Sequence, residues 1–454
     1  MDTKNRQALE RIQALVDPDS FVELGASVAQ RSTDFVNEDW ASSGDGVITG
    51  YATVGEKLVY LYSQDAAVLN GSLGEMHAEK IAHVYEMAMK MGAPVVGLLD
   101  CSGIRLQESV DALQGFGRLY ELKTQASGIV PQISVVFGNC GGGMAVLCGM
   151  SDFVYMEENG RLFVNAPNTL AGNSTEKCDS ANAEFQACNT GLVDGFGSQE
   201  EIMAAVRELL SFLPENNEGS AIVESTDDLN RLTSELENVT DAESIIKVIA
   251  DGYKFVETKA NYGTCVKTGF IRLDGITVGV IANAETYICA DACDKAAEFV
   301  NFCDAFEIPV LTLTNIEGFE ATLYNEKHIA KAAARLVYAF ANASVPKINV
   351  VLKGYATSYL MMNSKAIGAD VVLALENAEI GMMDGALAAK IIGGEDLKAV
   401  EEKFNEKQTA LASARRGYVD RLVNMTSLRK EILVALEMLF QKRVDAPFKK
   451  HGTK

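Results

Sequence analysis

Ala93-Pro94-Val95-Val96-Gly97-Leu98-Leu99-Asp100 returns later in the chain as Ile308-Pro309-Val310-Leu311-Thr312-Leu313-Thr314-Asn315. Pro131-Gln132-Ile133-Ser134-Val135-Val136-Phe137 returns at the same offset as Pro346-Lys347-Ile348-Asn349-Val350-Val351-Leu352. Gly191-Leu192-Val193-Asp194 is answered by Gly417-Tyr418-Val419-Asp420, and each leads into a helical pattern. Chance matches do not keep both order and spacing, so the chain reads as two copies of one fold. In each copy a helical stripe (Ile81, Val84, Ala88, Met91; Phe299, Phe302, Cys303, Phe306) stops at a proline and gives way to an almost wholly apolar strand. Such strands need cover on both faces, which predicts layered α/β domains with parallel strands. Before them, 46–51 with 57–63, and 269–273 with 276–282, read as hairpins.

The chain has 454 residues, too many for one ordinary core. The polar, acidic stretch from Leu213 to about Asp241 marks the boundary, giving expected domains 1–225 and 226–454. With 48% hydrophobic and 22% charged residues, the composition is that of a soluble globular protein. A formal charge of -22 argues against a nucleic-acid partner, because phosphate contact wants a basic face. No signal peptide and no apolar run of membrane-spanning length is read, so the expected location is cytoplasmic. Nine cysteines without a CxxC pair predict buried thiols in a reducing compartment and no metal site.

Chemistry is expected where a strand ends in a glycine turn and a helix begins. After Val135-Val136-Phe137 come Gly138-Asn139-Cys140-Gly141-Gly142-Gly143, then the apolar run Met144 to Met150. The first amides of a helix have no intrahelical partner, so this turn is a donor cluster suited to an anion or a developing oxyanion. The neighbouring repeat unit ends in a second turn, Asp100-Cys101-Ser102-Gly103-Ile104-Arg105. The alternative reading of both turns is helix capping with tight packing.

Several segments together carry a family resemblance: Arg31-Ser32-Thr33-Asp34, Gly44-Asp45-Gly46-Val47, Ser63-Gln64-Asp65, Gly71-Ser72-Leu73-Gly74-Glu75-Met76-His77, Ala88-Met89-Lys90 before Gly92-Ala93-Pro94, and the tail Lys449-Lys450-His451-Gly452. In these the chain resembles the biotin-dependent acyl-CoA carboxyltransferases over nearly its whole length. The resemblance implies tandem crotonase-like (ClpP/crotonase) domains with a ββα superhelical core, the first serving the acyl-CoA and the second the biotin. It implies a short-chain acyl-CoA thioester as substrate, carboxybiotin on a separate biotin carboxyl carrier protein, and no metal in this chain. The implied assembly is a homohexamer with sites at dimer interfaces.

By the same resemblance, the thioester oxygen is held by the backbone amides of Ile104 and Gly142, and the biotin ureido oxygen by those of Thr357 and Ser358. Gly103, Arg105, Gly141, Gly143, Tyr355 and Ala356 line the two cofactor sites, with Arg105 the candidate handle for CoA. A salt bridge from Arg105 to Asp100 or Glu108 is the competing reading. In the family, carbon dioxide released from biotin meets the acyl enolate between the two cradles, so little side-chain acid or base is needed. The direction is open: a carboxylase works with a biotin carboxylase, a sodium-pumping decarboxylase with a membrane pump subunit that would bring the chain to a membrane.

Departures from the family pattern are concentrated in the second half. Tyr355-Ala356-Thr357-Ser358-Tyr359 stands where relatives have Tyr-Gly-Gly-Ala-Tyr, placing side chains at two glycine positions. Met383-Asp384-Gly385-Ala386-Leu387-Ala388 and the segment Glu326 to Ala332 also differ. These changes motivate a rival reading, a weak or inactive structural paralogue within a carboxylase complex. Ile104 replaces a smaller residue and is expected to narrow the acyl pocket. Ala88-Met89-Lys90-Met91 spells a biotin-attachment tetrapeptide, but it sits at a helix end, so a structural role is expected. The basic residues Lys442, Arg443, Lys449 and Lys450 are read as a solvated end or a dock for an acidic carrier domain. The lack of an N-terminal four-cysteine ribbon separates the chain from the bacterial acetyl-CoA carboxylase beta subunit.

Overall fold

Pairs of apolar strands that lie far apart in sequence organise two units, residues 1–220 and 221–454. The computed structural model describes residues 6–31, 33, 35, 44–225, 227–237, 239–394 and 396–444. Part of the Arg31 to Asp34 motif and the tail with Lys449 and Lys450 lie outside the described residues.

In the first unit, Val47–Val54 and Lys57–Gln64 form an antiparallel hairpin with Val47 opposite Gln64. The sheet then continues in parallel through Val95–Cys101, Gln132–Gly141, Phe153–Glu157 and Gly195–Gly197. All seven residues of Val95–Cys101 are buried, as a strand covered on both faces requires. Helices Glu75–Met91 and Val110–Ala126 pack against each other beside this sheet. Ile81, Val84 and Ala88 are buried, but Met91 is 57% exposed, so it lies off the expected apolar stripe. Helix Glu75–Met91 ends at Gly92, whose left-handed φ of 63° closes it. Lys90 is an exposed residue of that last turn, within a regular helix.

The second unit repeats the plan. Val266–Leu273 and Ile276–Asn283 form the hairpin, followed in parallel by Val310–Ile316, Lys347–Tyr355, Val371–Gly381 and Arg421–Val423. The duplication extends to individual hydrogen bonds. The Asp152 carboxylate accepts from Gln132 N–H at 2.7 Å and the Asp370 carboxylate from Lys347 N–H at 2.8 Å. Asp194 and Asp420, the last residues of the echoed Gly-Xaa-Val-Asp motifs, accept from Val154 and Val372 N–H, each at 2.8 Å. Asp100 N–H bonds Gln64 Oε1 at 3.2 Å, and Asn315 N–H bonds Asn283 Oδ1 at 3.1 Å. A carboxylate or amide that takes a strand N–H fixes register, so equal partners imply equal strand ends.

Candidate active site

The two glycine turns of the first unit lie side by side. Strands Val95–Cys101 and Gln132–Gly141 run parallel with Cys101 opposite Cys140, which places both turns at adjacent strand ends. A Cβ added at Gly141 would stand 3.1 Å from the Ser102 carbonyl oxygen, and one at Gly103 3.3 Å from that of Gly141. Gly103 also has φ 119°, a conformation that side chains rarely adopt. Ile104 bridges Leu73 in parallel: Leu73 N–H donates to Gly103 O at 2.9 Å and Arg105 N–H to Leu73 O at 3.0 Å. Because its two neighbours make these bonds, the N–H of Ile104 itself faces away from Leu73.

Gly142 differs from expectation. Its N–H donates to Phe163 O at 2.9 Å, extending the ladder between Gln132–Gly141 and the short strand Arg161–Phe163. The sheet therefore takes this amide out of the expected donor pair. Gly142 turns the chain with φ 59°, and Gly143 opens helix Gly143–Gly149. The N–H of Gly143, first in that helix, has no residue four back within it.

Arg105 is also corrected. It is 1% exposed, and its Nη1 bonds Glu108 at 2.8 Å and Asp45 at still closer range, while Nη2 bonds Ser72 O at 2.8 Å. A side chain so enclosed is a strut beneath the Ile104 turn and cannot serve as a CoA handle. Asp100, the alternative partner for Arg105, pairs instead with Arg11 at 3.1 Å. His77 is fully buried between Asp45 O, at 2.9 Å, and Gln64 Nε2, at 3.2 Å. Burial, reinforced by the Arg105 and Lys80 charges, holds its pKa well below the usual histidine value, so it is neutral.

In the second unit, strand Lys347–Tyr355 leads into helix Ala356–Met361. Ala356 has φ 55°, close to the 59° of Gly142, so the positive-φ residue of this turn carries a Cβ. Thr357 and Ser358 follow in the first helical turn, where N–H groups lack intrahelical partners. Ser358 Oγ turns back to Tyr355 O at 2.7 Å, and Thr357 is exposed. Tyr355 is buried, its hydroxyl donates to Glu379, and Lys353 Nζ stands 5.0 Å above its ring. The Gly318–Phe319 segment packs against this helix. Phe319 pairs with Ile288, and Glu320 N–H donates to Ile288 O at 3.0 Å, the arrangement of Ile104 with Leu73. The N–H of Phe319 thus faces away from Ile288.

Three comparisons set the chain among known proteins. Residues 3–453 match the family model described as the carboxyl transferase domain. The chain belongs to that family. It is 39% identical to the methylmalonyl-CoA decarboxylase subunit alpha of Veillonella parvula, over 98% of this chain and 92% of the relative. Identity to the methylmalonyl-CoA carboxyltransferase 12S subunit of Propionibacterium freudenreichii subsp. shermanii is 36%, with 98% and 90% covered. A transcarboxylase 12S crystal structure, described as a hexamer assembly with methylmalonyl-coenzyme A and methylmalonic acid bound, superposes with a TM-score of 0.94 at 34% identity, covering 98% of this chain and 91% of that one. The tandem crotonase-like architecture expected from the resemblance is the architecture of this carboxyltransferase.

Phe319 escaped the sequence reading although the signal was there: it lies as far beyond Ile104 as Pro309 lies beyond Pro94. Past the echoed strands, that constant offset slips by one. Two residues, Phe137 and Gly138, separate the two paired stretches of Gln132–Gly141, whereas Leu352 alone does so in Lys347–Tyr355. Gly142 therefore corresponds to Ala356, and Gly143 to Thr357.

Proposed function

We propose that this carboxyltransferase moves a carboxyl group between carrier-borne biotin and a short-chain acyl-CoA. The observation that carries the reading is a like set of backbone N–H groups in each unit: Ile104 with Gly143 in the first, Phe319 with Thr357 and Ser358 in the second. The first pair holds the thioester oxygen as negative charge develops on it, and the second set holds the ureido oxygen. Backbone donors fixed by sheet and helix cost no reorganisation during reaction, and one such donor is worth about 3 kcal/mol, roughly a hundredfold. Carboxybiotin supplies the carbon dioxide and, once decarboxylated, a nitrogen base for the acyl α-proton. No buried histidine needs to titrate, in keeping with a neutral His77 held by Asp45 and Gln64.

The rival reading, an inactive paralogue, rests on the side chains of the second turn together with the altered segment Glu326 to Ala332. Ala356 takes a positive φ of 55°, as glycine would, and Thr357 is exposed, which supports a turn that keeps its donors. Both directions of transfer use the same cradles, and partners set the direction: a biotin carboxylase for carboxylation, a membrane pump subunit for decarboxylation. A hexameric assembly belongs to this proposal, as do propionyl-CoA/methylmalonyl-CoA and acetyl-CoA/malonyl-CoA as the candidate substrate pairs. The purified chain with its biotinylated carrier is expected to exchange carboxyl label between biotin and methylmalonyl-CoA or malonyl-CoA. No exchange with any short acyl-CoA, in an assembled complex, would sink the proposal.

A further inference from the structure

Two thiols of the second unit meet beside its cradle. Cys265 Sγ and Cys289 Sγ are 3.3 Å apart, and Cys289 N–H donates to Cys265 Sγ at 3.4 Å. Cys265 is held from behind, its carbonyl accepting from Ala284 N–H at 2.9 Å. Cys289 caps helix Ala290–Ala305 and directly follows Ile288, whose carbonyl holds the Phe319 segment. The duplication shows that the fold asks for neither side chain. The place of Cys265 belongs in the first unit to Gly46, whose carbonyl accepts from Asp65 N–H at 2.9 Å, and that of Cys289 to Gly74, which caps helix Glu75–Met91. The carboxylate cap has gone as well: Glu75 N–H is capped by the Glu108 carboxylate at 2.6 Å, but Ala290 N–H by the neutral Asn325 amide at 2.7 Å.

We propose that Cys265 and Cys289 form a redox dithiol, closing reversibly to a disulfide that shifts the second cradle; the effect on catalysis rests on the functional reading above. Cys289, half-buried at the N-terminus of a 16-residue helix, is the attacking thiolate. The contact with Cys265 lowers its pKa to about 7. With hydrogen peroxide, Cys289 sulfur takes one oxygen to become a sulfenic acid, and the other oxygen leaves as water. Cys265 sulfur then displaces that oxygen as a second water; the thiols together give up two protons and two electrons. Bond formation draws the sulfurs from 3.3 Å to about 2.05 Å, a movement of more than about 1 Å next to Ile288.

The test treats the full-length chain with hydrogen peroxide, alkylates the remaining thiols and maps tryptic peptides without reduction. Peptides 260–267 and 273–295 should be joined, should separate with dithiothreitol, and should stay apart in Cys289→Ser. Because Cys293 shares the second peptide, the mapping is repeated in Cys293→Ser, where the link must persist. Carboxyl exchange is expected to fall about tenfold or more on oxidation and to return on reduction, as displacement of a catalytic group by about 1 Å predicts. Oxidation confined to the exposed Cys178 and Cys188 would overturn the proposal, and so would a cross-linked chain with unchanged exchange. A reduced chain with no exchange would refute the functional reading instead, and peptide mapping would still decide whether the dithiol exists.

Discussion

Replacing Arg105 with methionine separates a strut from a ligand handle. The variant keeps much of the buried volume but leaves the Asp45 and Glu108 carboxylates, 2% and 4% exposed, without their shared guanidinium. Burial already raises the Asp45 pKa from its ordinary value, against the lowering pull of Arg105. Breaking a buried ion pair on one side costs about 3–5 kcal/mol, a large part of the roughly 5–15 kcal/mol that holds a domain together. For a unit of this size each kcal/mol moves Tm by about 2–4 °C, so the transition of the first unit should fall by roughly 6–20 °C.

Calorimetry of the full chain measures that fall, and pH gives a second check. With Arg105 gone, a carboxyl whose folded pKa lies above its unfolded value favours the protonated form. Its stability contribution is present below the unfolded pKa and is lost as pH rises through the folded one. The deficit of Arg105→Met should therefore be smaller near pH 4 than near pH 8. Removing the trapped charges as well, in Arg105→Met with Asp45→Asn and Glu108→Gln, should recover most of the lost Tm. A variant with Tm unchanged to within about 2 °C, but with KM for acyl-CoA raised about tenfold, would refute the strut and restore Arg105 as the handle.

His77 makes the same linkage argument with the opposite charge. Its folded pKa lies well below 6.5, so the unfolded chain takes up a proton first and stability declines as pH falls through 6.5; His77→Gln should flatten that part of a Tm-against-pH curve. Ile104→Ala should extend acyl-chain acceptance by a methylene or two, at about 1 kcal/mol each, and an unchanged chain-length profile would show that the side chain points elsewhere. Phe319→Pro removes the assigned N–H and should lower carboxyl exchange about a hundredfold, whereas Phe319→Ala, which keeps it, should not; equal effects would reject the donor role. Ala356→Gly should raise Tm slightly, relieving about 1 kcal/mol of left-handed strain, with exchange changed by less than about threefold. A large gain in exchange would show that the natural turn is impaired.

The repeated strands and hairpins were legible because they rest on local patterning that recurs: apolar runs fenced by prolines, and alternation on either side of a turn. What escaped depends on contacts between distant residues. The partner of Gly142 N–H is Phe163, in a three-residue strand with no periodic signature of its own. Arg105 meets Asp45 sixty residues upstream, and nothing near Arg105 announces that contact. Periodicity puts Met91 on an apolar stripe, but the helix ends there and its last side chain projects past the core. The equivalence of Gly142 with Ala356 was hidden by a one-residue difference where two strands break register, which a constant sequence offset cannot reveal.

That difference also explains how the second turn tolerates its unusual residues. A cradle of backbone N–H groups requires a left-handed residue, two free amides and an opposing strand edge, and only the first of these restricts side-chain choice. Alanine carries the smallest side chain that can bear the left-handed position, and Tyr355 is anchored there by the Glu379 carboxylate, the Lys353 ammonium and Ser358 Oγ. Thr357 and Ser358 lie in ordinary helical geometry, where their side chains are free to turn outward or back to Tyr355. Sequence divergence at this turn is therefore compatible with a retained donor set, and the supports of Tyr355 matter more to it than the residue types along it. A change that removes those supports, such as Tyr355→Phe with Lys353→Met, should slow carboxyl exchange more than Thr357→Gly, and the reverse order would contradict this account of the site.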